Sequence, residues 1–170
     1  MEEETNAHLT IDPLLDHLEH IPEVACWIWK EWQQLIPHED ASSFNNAFRK
    51  RLRPSGVGTT VAAFWDGNLA GAASLLAEDL PTRPDLTPWL AEVYVPPRFR
   101  HRGVGRRLVF RIMEEAAAIP VSRLYLYTPD RETFYTHLGW TLLERVPYAG
   151  RSQSVMQVTP SALLLHRLPV

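Results

Sequence analysis

The sequence predicts an α/β fold of the α+β kind, with a mixed, mainly antiparallel sheet flanked by helices. The chain has 170 residues, of which 45% are apolar and 22% charged. This is enough for one hydrophobic core and short for two. Hairpin patterns stand on both sides of a single strand–helix–strand unit. Such a unit adds a parallel pair to an otherwise antiparallel sheet. We therefore expect one domain over residues 1–170.

The first part of the chain predicts a strand, two helices and a hairpin. Pro22 suits a first helical turn and precedes an apolar stripe with helical spacing. Ser42 and Ser43 fit the cap of a second helix. Asp-Gly-Asn at 66–68 joins two apolar runs, and Asp-Gly accepts the positive φ of a tight hairpin turn. The predicted elements are a strand at 8–11, helices at 22–36 and 43–53, and strands at 59–65 and 69–79.

The second part of the chain begins with a proline-rich loop at 80–88 and returns to alternating elements. The run WLAEVYV is apolar enough for a central strand. Apolar residues then recur at helical spacing, and Gly139 fits the position that ends a later short helix. The predicted elements are strands at 89–95, 123–128, 140–146 and 154–159, and helices at 103–118 and 132–138.

Charge and cysteine content exclude several classes of protein. The net charge is −3, and six of the 17 Lys and Arg residues fall between Arg98 and Arg111. A single basic cluster in an acidic chain argues against a nucleic-acid or membrane partner. Cys26 is the only cysteine, so no internal disulfide is possible. The acidic start has no apolar leader pattern, and no apolar run reaches the length of a membrane span. We expect a cytoplasmic protein.

The segment RFRHRGVG at 98–105 predicts an anion site. Gly103 and Gly105 lie where a helix is expected to begin, and free amides at a helix start attract negative charge. The neighbouring guanidinium groups suit phosphate oxygens; they belong to Arg98, Arg100, Arg102 and Arg106. A diphosphate-bearing ligand fits this chemistry. The chain has no Walker A loop, and Leu108 stands where the dinucleotide fingerprint needs Gly or Ala.

Three quoted stretches resemble the GNAT acetyltransferase superfamily. Residues 95–105, VPPRFRHRGVG, match its acyl-CoA signature V-x-P-x-x-R-x-x-G-x-G. WLAEVYV matches its splayed central strand, and RLYLYTPDRETFYTHLGW matches the strand and helix that end in F-Y-x-x-L-G-[FW]. The resemblance covers about residues 59–146 and implies a GNAT fold that binds acetyl-CoA.

The resemblance also implies roles for individual residues. Backbone groups of Val93 and Val95 would pair with the pantetheine, and an amide near Val95 would polarise the thioester carbonyl. Tyr135 matches the tyrosine that lies near the thioester sulfur. Thr128 stands where many members carry an asparagine that contacts the pantetheine. The segment implied to hold the pyrophosphate comprises Arg100, His101, Arg102, Gly103, Val104, Gly105 and Arg106.

An amine acceptor needs a route for its proton, and the leading candidate is Glu92, a carboxylate inside the central strand. Glu78 and Asp79 at the end of the preceding strand, or a water relay, are the alternatives. Trp29 lies off the apolar stripe of its helix and could line an acceptor groove. We expect no metal site, because the metal spacing at His17 and His20 lacks a third ligand.

The expected function is transfer of an acetyl group from acetyl-CoA to a primary amine by direct attack in a ternary complex. The acceptor would be a small-molecule amine or a peptide N-terminus. The alternative is a non-catalytic acyl-CoA sensor or partner-binding module, which would bind coenzyme A without turnover. We expect a monomer or homodimer.

Overall fold

The computed structural model describes residues 8–161 and contains seven strands and four α-helices in that range. The ends of the expected 1–170 domain lie outside the described residues. In chain order the elements are β1 (Leu9–Pro13), α1 (Ile21–Trp32), α2 (Ala41–Arg51), β2 (Thr60–Trp65), β3 (Asn68–Leu76), β4 (Trp89–Tyr94), α3 (Val104–Ala117), β5 (Leu124–Thr128), α4 (Glu132–His137), β6 (Thr141–Tyr148) and β7 (Arg151–Val158).

The seven strands form one sheet in the order β1-β2-β3-β4-β5-β7-β6. Every neighbouring pair is antiparallel except β4 and β5, which are parallel. The parallel pair is the one connected by α3, as a strand–helix–strand crossover requires. The predicted fold class, a mixed and mainly antiparallel sheet flanked by helices, is confirmed.

Helices cover both faces of the sheet because the strands alternate apolar side chains between the faces. Val61 and Ala63 of β2 belong to a core cluster with α3 and α4, whereas Ala62 and Phe64 pack with α1 and α2. In β5 the same alternation sends Leu124 towards α3. Tyr125 and Tyr127 face a third cluster beneath the 80–88 loop. The sheet therefore lies between two well-packed helical layers, with α3 and α4 on one face and α1 and α2 on the other.

Several predicted boundaries move by a few residues. The Asp66-Gly67 turn has the expected positive φ at both residues, 48° and 77°, and the hairpin is confirmed. The serine cap predicted for α2 is wrong. Asp40 caps the helix instead, because its carboxylate accepts hydrogen bonds from the amides of Ser42 and Ser43 at 2.9 and 2.8 Å. The prediction of a strand to residue 79 is also too long, because β3 ends at Leu76.

Candidate active site

The sheet is split at its centre between β4 and β5. The two parallel strands pair only at Trp89 and Tyr125, after which they diverge. On its other side β4 stays paired with β3 as far as Tyr94. The β5-facing edge of β4 therefore has no strand partner over most of its length. An extended ligand can add to such an edge through main-chain hydrogen bonds.

A β-bulge in β4 lies at this opening. Glu92 and Val93 stand opposite the single residue Ala73, because the pairing shifts between Ser74–Ala91 and Ala72–Tyr94. Glu92 has a φ of 57°, the left-handed conformation, although it is not glycine. Regular alternation would put Glu92 on the same face as Leu90, towards α3. The bulge instead turns its carboxylate to the α1–α2 face.

The arm that follows β4 presents free amides. No backbone amide of residues 101–106 donates a hydrogen bond to any part of the chain that the structure describes. Intrahelical bonding resumes with the Arg107 amide, which donates to the Gly103 carbonyl at 3.1 Å. His101 and Gly103 have left-handed φ values of 60° and 79°. When left-handed and right-handed residues alternate along the backbone, successive N–H groups point to the same side. They then form a concave surface that binds anions.

The packing around the two glycines fits a ligand. A Cβ placed on Gly105 would stand 3.7 Å from Phe134 Cζ and 3.8 Å from Val95 Cγ2, which are ordinary contacts. A Cβ on Gly103 would meet nothing within 4 Å, and only its φ favours glycine. Internal packing therefore does not require glycine at position 105. The free amides and the open space beside them fit the pyrophosphate of an acyl-CoA.

The arm's arginine side chains are less involved than the sequence suggests. The Arg102 guanidinium lies over the Trp65 ring, 5.4 Å from its centroid, and the residue does not line the cleft. Arg106 lies over Phe110 at 5.5 Å but still borders the cleft. Arg100 donates from Nε to the Val95 carbonyl at 2.8 Å, which occupies one of the main-chain groups expected to pair with pantetheine. The Val95 amide is not engaged in this way.

A cleft of about 770 Å³ connects the arm to the opposite face of the sheet. It brings together most of the residues predicted from the sequence, namely Glu92, Val93, Val95, Arg100, His101, Gly103, Val104, Gly105, Arg106, Thr128 and Tyr135. Asp79, the alternative base, lines it as well. Glu78 is exposed and lies outside it.

Tyr135 and Thr128 border the cleft from the α4 side. Tyr135 is 8% exposed, and its ring packs edge-on against Phe134 and Trp140. Burial raises the pKa of its phenol well above the usual value, so the hydroxyl keeps its proton at neutral pH. The Thr128 hydroxyl accepts hydrogen bonds from the amides of Asp130 and Arg131 at 3.4 and 3.0 Å. Thr128 therefore stabilises the turn into α4, and only its own proton is left for a ligand.

The Glu92 carboxylate is already paired. Its Oε2 accepts a hydrogen bond from Arg51 Nη2 of α2 and another from Ser74 Oγ at 2.6 Å. Ser74 Oγ in turn lies 2.8 Å from Thr60 Oγ1. Together these contacts tie α2 to the bulge of β4. Both hydrogen bonds go to the same oxygen and hold the Glu92 carboxylate between α2 and β3.

Asp79 has the opposite environment. Burial is the main cause that raises the pKa of its carboxyl to about 8, and the negative charge of Glu92 raises it further. The positive charge of Arg51 opposes this shift. A carboxyl with a pKa near neutrality can both take up and release a proton under working conditions. Asp79 reaches this place because β3 ends early, at Leu76, which lets the chain cross the mouth of the split.

The tryptophan predicted to line an acceptor groove, Trp29, lies elsewhere. The Trp29 indole donates to the Glu39 carbonyl at 3.2 Å, and Trp29 does not line the cleft. Trp32 and Phe44 line it instead. Tyr127, Tyr148 and Gln153 line it from the sheet and were not identified from the sequence. Tyr127 lies within the predicted strand 123–128, whereas Tyr148 and Gln153 lie just outside the predicted strands 140–146 and 154–159.

Comparison with known proteins decides the family. A sequence profile described as the Acetyltransferase (GNAT) family matches residues 21–140, well over half of the chain. The chain belongs to this family. The resemblance found in the sequence is therefore confirmed, and so is the expected enzyme class, that of the GNAT N-acetyltransferases. No curated protein sequence matches this GNAT chain.

Solved structures share the GNAT fold at low sequence identity. The aminoglycoside 6'-N-acetyltransferase from Enterococcus faecium has a TM-score of 0.68 at 17% identity, over 89% of this chain and 97% of that one. A putative acetyltransferase from Salmonella typhimurium with acetyl-CoA has a TM-score of 0.67 at 17% identity, over 95% and 98%.

A third structure is N-acetylglutamate synthase from Neisseria gonorrhoeae, complexed with coenzyme A and N-acetyl-glutamate, with a TM-score of 0.63 at 20% identity. The match covers 91% of this GNAT chain but only 36% of the synthase. The chain therefore spans about a third of the length of that relative.

Residues 8–161 contain neither a membrane-spanning helix nor a metal-binding cluster. No helix in this range combines the length and the apolar character that crossing a bilayer requires. Within the same residues, no three His, Cys, Asp or Glu side chains are grouped so that they could hold a metal ion.

Proposed function

We propose that this GNAT chain transfers the acetyl group of acetyl-CoA to a primary amine by direct attack in a ternary complex. One observation carries the proposal. A single cleft has unbonded amides of residues 101–106 at one end and the Asp79 carboxyl at the other, with the split between β4 and β5 in the middle. This arrangement suits a diphosphate anchor, an extended linker and a proton acceptor in that order.

When bound, acetyl-CoA would supply a reactive thioester, which already has the chemical potential for acyl transfer. The chain's part is to bind and orient it. The amides of residues 101–106 would hold the pyrophosphate, and the free edge of β4 around Val93 and Val95 would hold the pantetheine. Two structural neighbours are described as complexed with coenzyme A or acetyl-CoA, which supports this choice of ligand. Holding both reactants in one cleft would provide much of the rate.

We assign the proton acceptor to Asp79 rather than to Glu92. An amine arrives mostly as an ammonium ion and must lose a proton before it can attack. Asp79, with a pKa of about 8, is charged and able to accept that proton from a pH of about 8 upwards, whereas the Glu92 carboxylate is already paired with Arg51. Glu92 is then a positioning residue that fixes the bulge and raises the proton affinity of Asp79.

Tyr135 is the proposed proton donor to the leaving sulfur. Its phenol stays protonated because burial raises its pKa, and its hydroxyl makes no hydrogen bond to another residue of the described chain. The proton is therefore available where a thiolate would leave. The position of Tyr135 at the cleft supports the role that the resemblance implies for it.

The acceptor is proposed to be a small-molecule amine, with a peptide N-terminus as the second option. Structural neighbours named for aminoglycosides and for glutamate support the small-molecule class. Cys26 is unpaired in the described chain, as is usual in reducing compartments, and this supports a cytoplasmic location. We propose a monomer or homodimer with no nucleic-acid partner.

The test is an acetyl-CoA consumption assay over a panel of amines, combined with calorimetric titration of coenzyme A. We expect coenzyme A to bind and at least one amine to be acetylated. Gly105→Glu should abolish binding, because its carboxylate would occupy the place of the pyrophosphate. Tight binding without turnover on any amine would instead identify the acyl-CoA sensor. No binding at all would overturn both functions.

A further inference from the structure

Gln153 lines the cleft and has a buried hydrogen-bond acceptor that is not used within the described chain. The residue is 4% exposed and lies on β7, on the same face of the sheet as Val155 and Tyr127. Its Nε2 donates to the Tyr148 carbonyl at 3.3 Å, which fixes the orientation of the amide because a carbonyl can only accept. The other end, Oε1, is buried and has no hydrogen-bond partner in the described chain. A buried oxygen of this kind is unfavourable until a donor reaches it.

Aromatic side chains from the sheet and from two helices line the same cleft. Tyr127 and Tyr148 contact each other edge to face, with ring centroids 6.0 Å apart, and both come from the sheet. Trp32 and Phe44 line the cleft from α1 and α2. Aromatic walls favour a flat apolar ligand over an extended polar one. Burial raises the pKa of the Tyr127 phenol, so this wall carries no negative charge at neutral pH.

Asp79 is the third feature of the cleft, and it is the proposed proton acceptor for the amine. Its carboxyl lies close enough to Tyr127 to influence the pKa of that phenol, and both side chains line one cleft. The cleft thus offers a proton acceptor, aromatic walls and a buried amide oxygen. These three features match an amine, a ring and a hydrogen-bond donor on the ring.

We propose that the acceptor is a primary amine attached to an aromatic body that carries its own N–H or O–H donor. The amine lies at Asp79, the ring lies among Tyr127, Tyr148, Trp32 and Phe44, and the ring's donor bonds to Gln153 Oε1. This inference rests on the proposed function and narrows its acceptor class. Aliphatic polyamines and aminoglycosides leave the aromatic walls without a matching partner. An aromatic amine without a ring donor leaves Gln153 Oε1 unpaired.

The experiment compares kcat/KM for tyramine, phenethylamine, spermidine, an aminoglycoside and a short peptide. Tyramine and phenethylamine differ only in the ring hydroxyl. We expect tyramine to be preferred over phenethylamine by about tenfold, since a buried acceptor without its donor costs roughly that factor. The aliphatic amines and the peptide should be poorer still.

Gln153→Met removes the acceptor at similar volume and should bring the ratio of tyramine to phenethylamine close to one. Gln157→Met makes the same change four residues further along β7, outside the cleft, and should leave the ratio unchanged. Coenzyme A titration verifies that each variant is folded. Should Gln153→Met fail to fold, the wild-type ratio still decides, and a value near one overturns the inference.

The proposed function and the narrower acceptor class can be overturned separately. Turnover of spermidine, an aminoglycoside or the peptide without turnover of the aromatic amines overturns the inference and leaves the proposed function intact. A tyramine preference that persists in Gln153→Met also overturns it. Binding of coenzyme A without acetylation of any amine overturns the proposed function and the inference with it.

Discussion

Replacing Asp79 by asparagine tests the central feature of the site, a carboxyl whose proton affinity is raised by its surroundings. The folded chain holds a proton on Asp79 up to a pH of about 8, whereas the ordinary value is 3.8. Between these values the folded state keeps a proton that the unfolded chain has released. The free energy of unfolding should therefore fall as the pH rises from about 4 to about 8.

The size of the effect follows from the same two values. The difference corresponds to at most about 6 kcal/mol, and contact with the solvent-filled cleft reduces it to about 2–3 kcal/mol. Asp79→Asn has the shape of the protonated carboxyl and cannot titrate. We expect the variant to be more stable than the wild type at pH 9 by that amount, and equal to it near pH 4.

The assay is urea unfolding of both proteins from pH 4 to 9, together with kcat/KM on an accepted amine. Wild-type kcat/KM should rise through a pH of about 8 as Asp79 loses its proton. Asp79→Asn should lose this rise and about 10²–10⁴ in rate. Glu78→Gln, at the exposed neighbouring carboxylate, is the matched control and should change neither property. Wild-type turnover in Asp79→Asn would contradict the role of Asp79 as proton acceptor, and an unchanged pH dependence of stability would contradict its raised pKa.

The remaining predictions concern the tyrosine, the glycines and the arginine. Tyr135→Phe should lower kcat about 10–100-fold without changing the dissociation constant of coenzyme A, and an unchanged kcat would remove its role as acid. Gly105→Ala should weaken coenzyme A binding while leaving the melting temperature equal or higher, since alanine favours a helix. Gly71→Ala is the contrasting variant, because its Cβ would lie 2.9 Å from Tyr94 O and from Leu108 Cδ1; it should lower the melting temperature. Arg51→Met removes a charge that lowers the pKa of Asp79, so the pH–rate profile should move to higher pH, and an unmoved profile would contradict this assignment.

The arm that follows β4 and the order of the elements could be predicted, because both depend on residues that are close together in the chain. Glycine at a helix start, and Asp-Gly in a two-residue turn, are required by backbone angles that few other residues adopt easily. The free amides at 101–106 follow directly from this local pattern. The apolar stripe of α3 was equally readable, and Leu108 and Ile112 are fully buried.

The sequence named Asp79 only as an alternative to Glu92, because the choice between them depends on a departure from regular geometry. Strict alternation of side chains between the two faces of β4 places Glu92 on the α3 face, and the sequence WLAEVYV contains no signal of a bulge. The partner that neutralises Glu92, Arg51, is 41 residues away in the chain. Asp79 enters the cleft only because β3 stops at Leu76, a boundary that the apolar run did not mark. Long-range pairing, rather than residue type, assigned these roles.

The acceptor side was hidden from the sequence for a related reason. Gln153 lies on a strand that the alternation located approximately, but its unpaired oxygen is visible only once Tyr148 is seen to engage the amide nitrogen. The choice between Trp29 and Trp32 depended on where α1 ends, and the chain leaves the helix at Trp32. Trp29 and Trp32 are about one helical turn apart, so the position at which α1 ends decides which of the two indoles borders the cleft.

The divergence of β4 from β5 has a consequence for solubility. Unsatisfied strand edges at the margin of a sheet invite pairing with other protein molecules, which leads to aggregation. Here the open edge of β4 is recessed in the middle of the sheet, with β5, β7 and β6 standing beyond it. A second polypeptide would have to thread lengthwise into a wedge that closes at Trp89 and Tyr125. The unpaired edge of β4 is therefore accessible to a narrow extended ligand but not to a strand of another protein molecule.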